Sequence, residues 1–380
     1  MAAQRTGAST FALPTTSILN SLGAKEGIVK RIYLIILCFA ISGCNGFSKA
    51  TPTSTVTSTP KLTAIFTLTP TITATATSRP TRTPTPIPWQ SYKMTYSIRI
   101  GGVGKLWMPI PRDWDGIGMT NVSLIEITPQ PDDTYQDSQG NMIAFWNLGY
   151  SNGNADFSIT FKVDLAPIYY GINPEQIGEY DKTSLNYQHY TQPSSWIESD
   201  NVEIIQLAKN IIGNETNPYE QANLIHKWVS NNIKSGSLET ALSTLEKRSA
   251  ECAGHSFLFV ALLRSLGIPA RVVSGLHTAY QGTFTNGSFW EHTLYNHVWS
   301  EFYLPGYGWI QSDTSAGEQN FAEINDPRLI LSRGEVELGH NYSFIVVPFF
   351  HIPHVEFIGN GDPNTQNAGE SLILTVDKIP

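Results

Sequence analysis

An almost uninterrupted apolar segment, residues 252–266, constrains the fold of this chain more than any other feature. Its apolar side chains would cover nearly every face of a helix, which predicts a helix buried on all sides. Gly267 stands where helices commonly end, and Pro269 prevents continuation, so residues 270–276 are predicted to form a strand. Because helices precede this segment and strands follow it, the pattern predicts an α+β fold.

Cys252 is the first residue of the predicted helix. The N-terminus of a helix is the positive end of its dipole, which favours the nucleophilic thiolate form of a cysteine. Glu251 precedes the cysteine, and a carboxylate close to the sulfur would oppose thiolate formation. The alternative is a buried, unreactive cysteine, which is a common role for this residue. From this segment alone both interpretations stay open.

The N-terminus contains a short apolar run, residues 32–42, preceded by basic residues. The run is too short to span a bilayer but has the length of the apolar region of a signal peptide. It ends in Ile41-Ser42-Gly43-Cys44, which resembles the bacterial lipobox. We therefore predict lipidation at Cys44 and an extracytoplasmic, membrane-anchored lipoprotein at the bacterial cell surface. An ordinary cleaved signal peptide is the alternative.

The cysteine count supports a reactive Cys252. The chain has three cysteines, and removal of the signal peptide would take Cys38 while acylation would occupy Cys44. Cys252 would then be an unpaired thiol in an oxidising compartment, where cysteines are usually paired in disulfides.

The rest of the chain divides by composition. Residues 51–88 are rich in threonine and proline and have no acidic residue, which is typical of an extended linker without a core. Alternating strands separated by turn residues follow and predict a β-sandwich. The predicted organisation is a signal peptide (1–43), a Thr/Pro-rich linker (44–88), a β-rich N-terminal domain with a connector (89–195), a catalytic domain (196–320) and a β-rich C-terminal extension (321–380).

Two later residues are candidates for partners of Cys252. Residues 296–304 alternate as a strand, and a turn at residues 305–308 leads into a second strand that ends at Asp313. A five-residue hairpin loop would place His297 directly opposite Asp313, with Cβ atoms about 4.5–5.5 Å apart. A cysteine, a histidine that takes its proton and a carboxylate that orients the imidazole form a catalytic triad. Either residue alone is equally compatible with an ordinary strand or turn position.

Three sequence blocks resemble those of the transglutaminase-like superfamily, whose core is shared with papain-type cysteine peptidases. They are residues 252–275, 297–303 and 306–313, in the order that the family has them. The segment Trp107-Met108-Pro109-Ile110-Pro111 is similar to one in the β-domain that bacterial members often carry upstream. The resemblance implies that Cys252 is the nucleophile, His297 the base and Asp313 the orienting carboxylate.

The predicted function is cysteine-dependent acyl transfer at amide bonds through a thioester. Hydrolysis by a peptidase or amidase is favoured over crosslinking. The expected partner is a protein or peptide substrate, such as a cell-wall peptide. A net charge of −8 argues against nucleic acid. We expect no cofactor and no metal. The alternative function is a catalytically silent binding or scaffold module at the cell envelope.

Overall fold

The computed structural model describes residues 89–101, 104–114, 118–148, 154–278, 294–340, 343–351, 353–357 and 373–379. These residues all lie in one compact unit, Pro84–Pro380. The predicted signal peptide, the linker and Cys44 lie outside the described residues. Within the described ranges, no helix is long and apolar enough to cross a membrane.

The described strands and helices, numbered in chain order, are as follows. The strands are β1 (Gln90–Gly101), β2 (Gly104–Ile110), β3 (Met119–Thr128), β4 (Asp133–Gln136), β5 (Met142–Leu148), β6 (Asn154–Leu165), β7 (Ile168–Tyr169), β8 (Lys234–Ser235), β9 (Ser249–Ala250), β10 (Ala270–Thr278), β11 (Leu294–Leu304), β12 (Gly308–Ser312), β13 (Glu323–Ile324), β14 (Arg328–Arg333), β15 (Val336–His340), β16 (Ser343–Val347), β17 (His354–Phe357) and β18 (Ile373–Ile379). The helices are α1 (Leu185–Tyr190), α2 (Val202–Ile212), α3 (Pro218–Asn232), α4 (Ala241–Lys247) and α5 (Cys252–Ser265), with a 3₁₀ turn at Pro174–Gln176.

Two four-stranded sheets face each other in the first part of the described chain. Their strand orders are β18-β1-β6-β3 and β17-β2-β5-β4. Alternate residues of β1, including Tyr92, Met94 and Tyr96, are buried and share one apolar cluster with Leu106 of β2 and Trp146 of β5. The Tyr96 hydroxyl donates a hydrogen bond to the carbonyl of Pro109 and joins the two sheets. This is the sandwich that the alternation predicts.

The end of the chain contributes an edge strand to each sheet of the sandwich. In the first sheet Ser91 pairs with Ile379, and in the second Trp107 pairs with His354. Strands β17 and β18 of the predicted C-terminal extension are therefore part of the N-terminal sandwich.

Helix α5 forms the centre of the second core. Every side chain from Ala253 to Leu263 is buried, as the uninterrupted apolar sequence predicts. Gly267 follows the helix with a φ of 78°, a backbone conformation that glycine adopts without strain. Helices α2, α3 and α4 pack around α5 together with strands β10 and β11.

The sheet β12-β11-β10-β14 lies between α5 and the sandwich. One side of the sheet, including Val298 and Phe302, packs with α5. The other side, including Trp299 and Val273, shares the apolar cluster of the sandwich. Strand β14 pairs with β10 although it follows residue 320, the predicted limit of the catalytic domain. The sheet that carries the candidate histidine is thus covered on both faces.

Candidate active site

Cys252 is the first residue of α5 and is half-buried. It forms no disulfide among the described residues. Glu251 occupies the N-cap position, but its side chain makes no capping hydrogen bond. The sulfur is therefore attached at the positive end of a 14-residue helix, where a negative charge is stabilised.

His297 lies on β11 and is held beside the start of α5. The Ser256 hydroxyl, one turn after Cys252, bonds to the carbonyl of Cys252 at 2.9 Å and to that of Val298 at 3.2 Å. This contact ties the first turn of the helix to the residue that follows His297. The His297 ring is buried and stacks on Trp299 with 6.0 Å between ring centroids.

Asp313 follows β12 directly, and the predicted hairpin register is wrong. The loop has three residues rather than five, so Leu304 pairs with Gly308 and Ser300 with Ser312. Extended by this register, the residue opposite His297 would be position 315, and Asp313 would be a diagonal neighbour. The two registers differ by an even number of residues, so His297 and Asp313 keep the same face of the sheet. Diagonal neighbours remain within reach of long side chains, which explains why the contact forms in spite of the error.

The Asp313 carboxylate is buried and fully engaged. Its Oδ2 accepts from His297 Nε2 at 2.7 Å and lies 2.8 Å from Arg328 Nη1. Its Oδ1 accepts from the Ser315 hydroxyl at 2.8 Å and from the backbone N–H groups of Ser315 and Ala316. Burial alone would raise the pKa of Asp313, but the charges of His297 and Arg328 lower it well below the usual range. The group is an anion that faces the imidazole.

The His297 imidazole is a cation at neutral pH. Burial alone would lower its pKa, but the charge of Asp313, their hydrogen bond and the contact with Cys252 together raise it to about 9. Since Nε2 faces Asp313, Nδ1 is the nitrogen left for the sulfur. A cationic imidazole beside a sulfur stabilises the thiolate, so the three predicted residues lie together in a chemically useful order.

Four residues around this group were not predicted from the sequence. Arg328 pairs with Asp313, Asp326 pairs with Arg328, and the ring of His277 lies 4.5 Å from the ring of His297. His226 contacts the Ser312 hydroxyl through Nδ1 at 2.8 Å.

His226 alone had a sequence signal. It lies on the apolar face of α3 with Ala222, Ile225 and Val229, where a polar residue must find a buried partner. The other three are ordinary strand or turn residues in the sequence. In the part of the chain that is described, no group of three or more acidic, cysteine or histidine side chains is arranged to hold a metal ion.

A family model of the transglutaminase-like superfamily matches residues 205–314 of this chain. Cys252, His297 and Asp313 all lie in the matched segment. This segment is a transglutaminase-like domain. The superfamily predicted from the three sequence blocks is confirmed, and with it the mixed helix and strand fold. The matched segment ends before Asp326 and Arg328, although β14, which carries Arg328, belongs to the same sheet as His297.

Two proteins have sequences similar to this chain. An uncharacterized protein of Haemophilus influenzae is 25% identical over 250 residues, which are 60% of this chain and 67% of that protein. The uncharacterized protein YebA of Bacillus subtilis is 38% identical over 82 residues. Those residues are 21% of this chain and only 11% of YebA, so the chain corresponds to a small part of that protein.

Solved structures that align with this chain include two bacterial proteins. A candidate cysteine protease from Cytophaga hutchinsonii is 16% identical with a TM-score of 0.49, and the overlap covers 77% of this chain and 91% of that one. The periplasmic domain of TgpA from Pseudomonas aeruginosa is 16% identical with a TM-score of 0.32, covering 60% and 92%. The family assignment depends on the match over residues 205–314.

Proposed function

We propose that this protein is a cysteine-dependent enzyme that transfers acyl groups from amide bonds through a thioester. The observation that carries the proposal is the position of the His297 imidazole, in contact with the Cys252 sulfur and hydrogen-bonded to Asp313 at 2.7 Å. A nucleophile, a base and a group that orients the base, within reach of one another, are the parts that this chemistry needs.

In the proposed reaction the Cys252 thiolate attacks the carbonyl carbon of an amide. The imidazolium of His297 then gives its proton to the leaving amine, and the acyl group stays on the sulfur as a thioester. Neutral His297 next removes a proton from the acyl acceptor, which attacks the thioester, and the sulfur leaves as the thiolate beside the imidazolium. Asp313 keeps Nε2 engaged throughout, so that Nδ1 is the nitrogen that exchanges protons with sulfur and acceptor.

The acyl acceptor decides the outcome of the reaction. We infer that water is the acceptor and that the protein is a peptidase or amidase, since the bacterial family members that the sequence resembles more often look hydrolytic. An amine acceptor would give a crosslink instead. The proposed substrate is a protein or peptide, such as a cell-wall peptide.

The proposed location is outside the cytoplasm, at the cell surface, with a lipid anchor on Cys44. The support is the basic and apolar pattern before Cys44 and the Thr/Pro-rich segment after it. Metabolic labelling with a fatty-acid analogue tests this directly. Label that remains on a Cys44→Ala variant would contradict the anchor.

Alkylation at Cys252 tests the nucleophile. The full-length protein is treated with iodoacetamide, and the rate at Cys252 is read by peptide mass spectrometry, which separates it from Cys38 and Cys44. We expect faster labelling than for a cysteine in a short peptide, and a slower rate in His297→Ala. Labelling at the peptide rate in the wild-type protein would instead favour the silent binding module. The supporting observation for that module is Glu251, which directly precedes Cys252 and makes no capping hydrogen bond.

The acyl group is identified by trapping. The protein is incubated with cell-envelope extract, quenched in acid and digested, and the mass added to Cys252 is determined. The Cys252→Ser variant is the matched control. Addition of a labelled amine separates the two outcomes. If most of the acyl group is transferred to the amine rather than to water, hydrolysis is not the main reaction.

A further inference from the structure

The second histidine of the site, His277, lies on the strand next to His297. In the β10–β11 ladder Gly275 is opposite His297 and His277 is opposite Tyr295, so the two histidines are diagonal neighbours. Their ring centroids are 4.5 Å apart with 47° between the ring planes. Because the residue opposite His297 is a glycine, no side chain at that position separates the two rings.

His277 is held in this place from its other side. Its Nδ1 lies 3.4 Å from Asp326 Oδ2, and the same carboxylate faces the Arg328 guanidinium at 3.3 Å. Arg328 pairs directly with His277 in the β10–β14 ladder, and its Nη1 lies 2.8 Å from Asp313. The side chains of His277, Asp326, Arg328, Asp313 and His297 thus form a closed series of contacts, in which the carboxylates of Asp326 and Asp313 both face Arg328.

These contacts restrict rotation of the His297 imidazole about its last side-chain bond. A histidine side chain rotates readily about its last bond, which has broad, roughly two-fold preferences. Productive geometry needs Nε2 on Asp313 and Nδ1 toward the sulfur, and a rotation of the ring would exchange or break both. Trp299 stacks on His297 at 6.0 Å, whereas His277 approaches it at 4.5 Å. His277 is therefore the closer of these two rings.

We propose that His277 is a positioning residue, whose ring, anchored by Asp326, limits rotation of the His297 imidazole and keeps it directed at Cys252. This inference rests on the proposed function of Cys252 and His297. It assigns His277 no contact with the substrate. Its anchor residues lie after residue 314, so the family match does not include them.

Three variants of the full-length protein test the role of His277. His277→Ala removes the ring, and His277→Phe keeps a flat ring of similar size but loses the contact with Asp326 through Nδ1. His354→Ala is the matched control, because His354 is also a part-buried strand histidine whose ring contacts an aromatic side chain, Trp107 at 5.7 Å, within the sandwich. For each variant, the iodoacetamide rate at Cys252 is measured between pH 5 and 9, and the free energy of unfolding is measured in parallel.

We expect His277→Ala to slow alkylation of Cys252 by about tenfold or more across this range, since small misplacements of a reacting group have costs of up to about a hundredfold. His277→Phe should recover part of the rate, because it keeps the ring but loses the contact with Asp326, and His354→Ala should keep the wild-type rate. A His277→Ala protein that is folded and labels at the wild-type rate overturns the proposal, as does a His277→Phe protein as slow as His277→Ala. Slow labelling of the wild-type protein itself would instead contradict the proposed function.

A measurement on the wild-type protein covers the case in which His277→Ala does not fold. With labelled histidine, nuclear Overhauser contacts between the ring protons of His277 and His297 are expected. Their absence in the folded protein would also overturn the proposal.

Discussion

Arg328 Nη1 lies 2.8 Å from Asp313 Oδ2, and both side chains are 1% exposed. The same carboxylate oxygen is 2.7 Å from His297 Nε2, so one buried anion faces two cations. Taking charges out of water is costly, and the cost is offset only where each charge has a partner in good geometry. The orientation of His297 therefore depends on a residue of β14 that no sequence motif marks.

Arg328→Met should destabilise the protein. The change leaves Asp313 and Asp326 with less compensating charge in a buried place, and breaking such a pair typically costs about 3–5 kcal/mol. Urea unfolding of both proteins at pH 7 measures the difference. The surface ion pair of Arg99 with Asp156 offers the matched control, since an ion pair exposed to water contributes little, and Arg99→Met should leave the free energy of unfolding nearly unchanged. A loss as small as that for Arg328→Met would contradict the role given to this residue.

His297 should make the protein less stable at alkaline pH. Its pKa is about 9 in the folded protein, above the ordinary value of 6.5 that the unfolded chain has. The stability that this group contributes is fully present below pH 6.5 and is lost as pH rises through about 9. In His297→Gln the loss over this window should be smaller. Both proteins are compared in a Cys252→Ala background, which removes the contribution of the sulfur, and equal slopes would show that Asp313 does not raise the pKa of His297.

His226 should act in the opposite direction. Burial lowers its pKa to about 4, which the contacts with Gly317, Asp313 and Glu318 only partly oppose, so the folded protein keeps it neutral. The unfolded chain binds a proton below pH 6.5, and stability should fall between pH 6.5 and about 4. His226→Phe should be less stable at pH 7 by about 1–3 kcal/mol, because the Ser312 hydroxyl loses its partner. The free energy of unfolding of His226→Phe should also fall less between pH 6.5 and about 4 than that of the wild-type protein. An equal fall in both proteins would contradict this account.

Glu251→Gln should make Cys252 more reactive. Glu251 directly precedes Cys252, and its side chain makes no capping hydrogen bond. The substitution removes the negative charge but keeps the size of the side chain. We expect alkylation of Cys252 at pH 7 to be a few-fold faster, in line with exposed charge effects of about 1 kcal/mol or less. Glu239→Gln removes a carboxylate that is paired with Lys247, so it serves as the comparison and should leave the rate unchanged.

The sequence was most informative where structure is local. Helix α5 was predicted with its observed start at Cys252, because an apolar segment and the glycine and proline after it are local signals. Strand pairing between distant segments has no such signal. The sequence therefore did not indicate that β14 would join the sheet of His297, or that β17 and β18 would complete the sandwich.

The candidate site shows the same limit. The contact between His297 and Asp313 was predicted from a wrong loop length. It still forms because the predicted and observed registers differ by an even number of residues, which keeps both residues on one face of the sheet. Arg328 and Asp326 were missed because a single charged residue at a strand end is common in any sequence. Their partners become visible only when β14 is placed beside β10.

The pairing of the first strand with the last has a consequence for how the chain is made. Gln90 Nε2 donates to the carbonyl of Ile379 across 289 positions of sequence. Chains usually fold domain by domain from the N-terminus during synthesis, and contacts between distant residues form slowly. The sandwich is not completed in that order, because β18, the partner of its first strand, is synthesised after the helices and the sheet that carry Cys252 and His297. One edge of β1 therefore stays unpaired until the sequence of that core has left the ribosome.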